Sequence, residues 1–160
     1  MQTYIAILRG INVSGQKPLK MDELRSALEQ AGFKNVQTFI QSGNIIFKGE
    51  PAETEAVAQQ IREEILKTFG FEVPVIVLTK EELENVFENN HYIIARSEDP
   101  SKLHVTFLSA FPDQADIDKV NSKRYDYDDF IICDKVVYLF CPNGYGRTKL
   151  SNSFFESKLK

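Results

Sequence analysis

The 160-residue chain contains no tryptophan, two histidines and two cysteines, and these scarcities remove several kinds of chemistry together. Cys133 and Cys141 have neither zinc-site spacing nor a histidine beside them. They read as reduced, strand-borne thiols of a cytoplasmic protein rather than as a disulfide framework. His91 and His104 stand apart from each other and from any nucleophile, so no Ser-His-Asp or Cys-His set assembles around them. His104 alternates with Leu103 and Val105 and is expected on a wet strand face. No metal site and no bound cofactor is expected. Apolar runs fall well short of the ~20 residues that span a bilayer, and Met1-Gln2-Thr3-Tyr4 lacks the basic start and cleavage pattern of a secretory signal. The expectation is a cytoplasmic protein with no membrane contact.

What is present is an ordinary globular composition, 42% hydrophobic and 26% charged. The net charge of −4 speaks against a general nucleic-acid binder, but it is unevenly spread. Residues 1–49 carry six basic against three acidic side chains, residues 50–129 eight against eighteen, and residues 130–160 five against two. The acidic middle reads as solvated helix faces. The basic ends matter more, because the polar motifs lie there.

Periodicity gives an alternating order of elements. Thr3–Leu8 reads as a strand and Met21–Gly32 as a helix with Gly32 at its C-terminal cap. The strands Asn35–Gln41 and Asn44–Lys48 join through Ser42-Gly43, a hairpin signal. Glu53–Gly70 is a long helix burying Val57, Ile61, Ile65, Leu66 and Phe69. Glu72–Leu78 is a strand, and Thr79 with Glu82 forms a capping box for a helix over Lys80–Asn89. The second half echoes the first: strand Leu103–Leu108, helix Asp113–Asn121, a hairpin of Asp128–Cys133 with Lys135–Cys141, and a helix from about Thr148. Asn89–Lys102 is the expected seam between an N-terminal half, 1–90, and a C-terminal half, 91–160, intimately packed or even one domain.

A β-α-β-β-α-β order points to a ferredoxin-like plait. The fold class is therefore α+β: two ferredoxin-like halves with mainly antiparallel sheets. In a plait the third strand lies between the first and second, so the end of the first strand sits beside the turn joining the second and third. Arg9-Gly10-Ile11-Asn12 is thereby brought next to Gln41-Ser42-Gly43-Asn44. The central strands, Tyr4–Leu8 and Val136–Phe140 among them, are apolar on both faces, which calls for cover on the second face by the other half, another subunit or a ligand.

Three motifs carry chemistry. In Leu8-Arg9-Gly10-Ile11-Asn12-Val13-Ser14-Gly15 the glycines permit sharp turns that present N–H groups, and Arg9 offers a planar donor suited to phosphate or carboxylate. Asn12, Gln41, Ser42 and Asn44 add neutral donors and acceptors, and Lys17 is a flexible cation nearby. The same residues also make turns, with Arg9 in reach of Asp22 or Glu23, and both readings stand. Asn143–Lys149 is a glycine-rich loop with Arg147 and Lys149 that serves either as a helix cap or as an anion site. It matches neither a Walker A loop nor the dinucleotide fingerprint. The run Asp126, Asp128, Asp129 reads as a solvated loop before a cation site.

YIAILRGINVSGQKPLKMDELRSALEQAGFKNVQTFIQSGNIIF, together with GYGRTKLSNSFFESKL near the end, resembles the bacterial family called domain of unknown function 1697. That family opens with an LRGINVGG-like run and continues to a QSGN hairpin. Ser14 stands where the family more often has glycine. The resemblance implies an α+β fold of two ferredoxin-like halves and supplies no activity. It also implies a further C-terminal segment with a TRNW-like run, which these 160 residues do not contain, and any part that segment plays in a site.

The functional expectation is an uncharacterised cytoplasmic protein that binds a small anionic ligand, phosphate- or nucleotide-like. The site comprises Arg9, Asn12, Lys17, Gln41, Ser42 and Asn44, with Arg147 and Lys149. Whether a reaction occurs is open. The alternatives are a nucleic-acid module of RRM-like topology, since TYIAIL faintly resembles the first RRM motif, and a non-catalytic interaction or homo-oligomerisation domain.

Overall fold

A computed structural model describes residues 1–39, 43–125 and 127–159, and of Arg147 the backbone alone. The chain is α+β and divides into two compact units, Met1–Glu84 and Asn85–Lys160.

The N-terminal unit runs β1 (Gln2–Leu8), α1 (Met21–Gln30), β2 (Lys34–Phe39), β3 (Asn44–Gly49), α2 (Thr54–Phe69) and β4 (Val75–Thr79). Its sheet has the order β2-β3-β1-β4 with every neighbouring pair antiparallel. In β1, Tyr4, Ala6 and Leu8 are buried, as are Ile45, Phe47 and Gly49 in β3. These alternate residues pack with Leu24 and Leu28 of α1 and Val57, Ala58, Ile61 and Ile65 of α2 in one core. On the other face Ile5, Ile7, Ile46, Ile76 and Leu78 are half-buried. Tyr4 stacks on Phe47 at 5.6 Å, and Phe33 meets Phe47 edge-on at 4.8 Å. The Tyr4 hydroxyl reaches the end of β3, donating to Glu50 O at 3.0 Å and accepting from Ala52 N–H at 2.9 Å.

Helix ends follow local chemistry. Gly32, at φ +104°, donates to Glu29 O, and Phe33 donates to Leu28 O, a Schellman arrangement that uses two otherwise orphaned carbonyls. The capping box is present: Glu82 N–H donates to Thr79 Oγ1 at 3.1 Å and Thr79 N–H to Glu82 Oε2 at 2.9 Å. It starts α3 (Lys80–Glu88) directly at the end of β4. Leu66, expected in the core, is 45% exposed, because the stripe through residues 57, 61 and 65 is completed by Ala58 and the next position rotates out of it.

The C-terminal unit contains α4 (His91–Ile94), β5 (Leu103–Phe107), α5 (Gln114–Asn121), β6 (Asp129–Cys133), β7 (Val136–Phe140) and α6 (Asn152–Lys158). Its three strands lie in the order β5-β7-β6, again antiparallel. Val137 and Leu139 pack with Val120, Cys141, Leu150 and Phe155 on one face. On the other, Tyr92 stacks on Phe140 at 5.8 Å, and the Arg96 guanidinium lies 5.2 Å from both rings. The stretch read as a seam thus holds α4, capped by Asn90, and a 3-10 turn at Pro100–Lys102.

The last helix starts at Asn152, not Thr148, and Ser151 is its cap, accepting from Phe154 N–H at 3.2 Å. Thr148 is committed elsewhere: its hydroxyl donates to Asp128 Oδ2 at 2.5 Å and accepts from Leu150 N–H at 3.0 Å. The glycine-rich loop before it forms a 3-10 turn at Tyr145–Arg147.

Candidate functional site

β1 ends against two neighbours. Ile7 lies opposite Asn44, Leu8 N–H donates to Gly43 O at 3.0 Å, and Arg9 N–H donates to Pro74 O at 3.1 Å. The LRGIN run and Gly43-Asn44 therefore meet at one end of the sheet, as the strand order β2-β3-β1-β4 requires. Gly43 makes the approach close. It is buried at φ +90°, and a Cβ there would lie 2.8 Å from Leu8 Cβ and 2.8 Å from Ile11 Cδ1.

The chain beyond Arg9 has an unusual backbone. Gly10, Asn12, Ser14, Gly15 and Lys17 all have φ between +46° and +75°, and three of them are not glycine. Left-handed conformation is disfavoured for residues with a Cβ, least so for asparagine, so the loop must be held from outside. Asn12 does much of this. Its Nδ2 donates to Leu19 O at 2.9 Å, and its Oδ1 accepts from Leu19 N–H at 2.8 Å. Its own N–H donates to Lys17 O, and Gln16 N–H donates to Val13 O. Ile11 and Leu19, both buried, pin the loop's base into the core. The Lys17 ammonium donates to Glu72 O at 2.6 Å.

Arg9, Gly10 and residues 12–16 are exposed, and Asn44 is half-buried. The sheet end thus presents a guanidinium, a carboxamide-bearing strand start and a run of turned backbone. Successive reversals of backbone hand can aim N–H groups at a shared point, which suits an anion. Gln41 and Ser42 lie outside the described residues, as does the side chain of Arg147. Lys149 is exposed and belongs to the C-terminal unit. The Asn12–Leu19 clamp was not legible in the sequence, because nothing in the spacing shows which main-chain group a loop asparagine will meet.

In the C-terminal unit His104 departs from expectation. It does not sit on a wet face: its Nε2 is buried without a hydrogen-bond partner, and its ring lies 4.8 Å from that of Tyr145. The neighbouring Thr106 and Tyr145 hydroxyls both approach Asn152 Oδ1, at 3.3 and 3.5 Å. Burial holds the imidazole below its ordinary 6.5. The unfolded chain therefore takes up the proton first as pH falls. The neutral ring contributes stability above pH 6.5 that is lost as pH drops toward the folded value. Urea denaturation at pH 7.5 and pH 5.5 should show a loss of stability that His104→Phe reduces.

Asp128 and Asp129 border a surface hollow of about 370 Å³ that Lys123 and Arg124 also line. Both carboxylates are engaged, Asp128 by Thr148 and Asp129 by Arg96 at 3.4 Å. No group of three or more His, Cys, Asp or Glu among the described residues is placed to hold a metal ion. Nor is any helix among them long and apolar enough to cross a membrane.

The family model described as "Protein of unknown function (DUF1697)" matches residues 1–138. The chain belongs to this family. No curated protein matches this DUF1697 chain. Among solved structures it is similar to the conserved bacterial protein SP0830 from Streptococcus pneumoniae, with 22% identity and a TM-score of 0.73. The match covers 98% of this chain and 82% of that one. At that identity the likeness speaks to the fold alone.

Proposed function

We propose that this DUF1697 chain is a cytoplasmic protein of two ferredoxin-like halves that binds a small phosphate- or nucleotide-like anion at the end of its N-terminal sheet. Arg9 supplies the charged fork, the 10–15 backbone supplies N–H donors, and Asn44 supplies a carboxamide. Asn12 and Lys17 act mainly by holding the loop open, while Gln41 and Ser42 are further candidates for contact. The observation that carries this reading is the clustering of five left-handed residues within 10–17 next to Arg9 and Gly43. Strained backbone of this kind persists where surrounding structure enforces it, and it concentrates at binding sites.

The nucleic-acid alternative has less support. An RRM stacks bases on aromatic rings displayed by its central strands. Here Tyr4 and Phe47 are fully buried in the core, and the opposite face carries Ile5, Ile7 and Ile46.

Thermal-shift measurements against nucleotides, inorganic phosphate and phosphorylated metabolites test the proposal. A ligand at a hundredfold excess over its Kd adds about 2.7 kcal/mol of stability, a rise in Tm of roughly 5–10 °C. Arg9→Ala should weaken binding by about tenfold or more, through loss of a charge-assisted contact. A stabilising anion whose effect is the same in Arg9→Ala would overturn the assignment.

A further inference from the structure

Among the described residues of the N-terminal unit, every aromatic ring but one belongs to the core or packs on it. Tyr4, Phe33 and Phe47 are buried, and Phe69 and Phe71 lie against the same cluster. Phe39, at the end of β2, is the exception, with 47% of its surface exposed.

Strand register fixes where that ring stands. Phe39 lies opposite Asn44 of β3, and Asn44 lies opposite Ile7 of β1. Ile7 in turn lies opposite Ile76 of β4. Residues directly opposite on neighbouring strands share a face of the sheet, so these four form one row across it. Tyr4, Ala6 and Leu8 point into the core, so Ile7 and its row belong to the other face. On that face it is the last row before β1 runs into Arg9. Arg9 follows Ile7 by two residues, the spacing that returns a side chain to the same face, and its N–H extends the pairing to Pro74 O. The next row on this face, Gln37, Ile46, Ile5 and Leu78, carries no aromatic ring.

The proposed anion site thus has one exposed aromatic ring on its own face of the sheet. Two strand spacings, about 9.5 Å, separate Phe39 from β1. Inorganic phosphate held at Arg9 would leave that ring in water. A ligand that joins an anionic group to a planar aromatic group through a short linker uses both.

We propose, on the footing that the anion reading of this site holds, that the ligand is a mononucleotide. Its base stacks on Phe39, and its phosphate meets Arg9 and the main chain of residues 10–15. Asn44 stands between the two, in the same row as the ring, where a polar edge of the base or sugar would lie. Every base has a π-face, so the ring selects for a base without choosing among bases. One exposed ring serves one base. The row behind it is aliphatic apart from Gln37, which favours a mononucleotide over a strand of nucleic acid.

Titration calorimetry of the full chain with adenosine monophosphate, with a ribose phosphate lacking the base, and with adenosine tests this. Adenosine monophosphate should bind about tenfold or more tightly than the ribose phosphate, the size of effect that stacking of a base on an aromatic side chain supplies. Phe39→Leu keeps apolar bulk at an exposed position and removes the ring. It should erase most of that advantage and leave binding of the ribose phosphate unchanged. The adenine ring protons should move upfield in NMR spectra on binding to the unmutated protein, and not on binding to the variant. Equal affinity for the two phosphates, or a preference for the base that survives Phe39→Leu, would overturn the stacking assignment and leave the anion site standing. Adenosine bound as tightly as its monophosphate would overturn the anion reading instead. Binding of none of the three would overturn both.

Discussion

Gly43→Ala should lower the stability of the protein by about 3 kcal/mol, read as a fall in urea midpoint with an unchanged slope. Two independent terms act together. Alanine at φ +90° occupies a backbone region that costs a residue with a Cβ on the order of 1–2 kcal/mol. Its methyl group would also sit 2.8 Å from Leu8 Cβ and from Ile11 Cδ1. The Leu8 atom is attached directly to a β1 backbone already bonded to Gly43 O, so it cannot swing aside. Relief must come from separating the hairpin from the end of β1, and overpacking of this sort typically adds 1–3 kcal/mol. The same separation would widen the proposed site, so the variant should bind anions weakly even where it remains folded. Gly10→Ala is the informative contrast. Gly10 also has positive φ, at +75°, but a Cβ there meets nothing within 4 Å, so only the backbone term remains.

Asn12→Ala should cost about 2–3 kcal/mol and disorganise the 10–17 loop. The substitution removes both halves of the carboxamide clamp on Leu19. Leu19 is buried, and leaving its main-chain groups unpaired costs more than the hydrogen bonds themselves. Alanine must also hold the φ of +53° that asparagine tolerates better. Asn12→Gly separates the two effects, since glycine relieves the backbone term and still lacks the carboxamide. The difference between the variants measures strain, and the remainder measures the clamp. Asn12→Gly should recover roughly 1 kcal/mol of the loss; equal losses in both variants would show that the clamp alone matters.

Much of this arrangement can be read in the residues before any coordinates. The order of elements follows from apolar periodicity, and the order alone places Gly43 and Asn44 beside the end of β1. The capping box of Thr79 and Glu82 is legible because its partners are three residues apart. Features that depend on distant partners are not. Thr148 has the look of a helix cap, but Asp128, twenty residues earlier in sequence, engages its hydroxyl, and Ser151 caps the helix instead. Leu66 is apolar and adjacent to the buried stripe, yet α2 already fills its contact surface with Ala58. His104 alternates correctly for a solvated face. That face is nonetheless the packed one, because His104 and Thr106 lie beside Leu139 and Val137 of β7, and Tyr145, from a 3-10 turn that no periodicity announces, covers the ring. For the candidate site, the order of elements brings Gly43 and Asn44 to the end of β1, but the sequence does not show that Asn12 binds the main chain of its own loop. A carboxamide is equally able to meet a ligand or a peptide group, and the choice is made by tertiary position.

The strain in the loop links these observations. Asn12, Ser14 and Lys17 hold left-handed conformations without the freedom of glycine. The stability this costs is offset by the buried anchors Ile11 and Leu19 and by bonds to Leu19 and Glu72. The resulting backbone is preorganised, so a ligand meeting it loses little free energy to ordering the loop.

The most direct test of the account is a titration of the isotopically labelled protein with inorganic phosphate and with adenosine monophosphate, followed amide by amide in NMR spectra. The account predicts saturable shifts concentrated at residues 10–15 and at Asn44, absent in Arg9→Ala. Shifts that never saturate, or that gather instead around Lys149 or around Lys123 and Arg124, would contradict it.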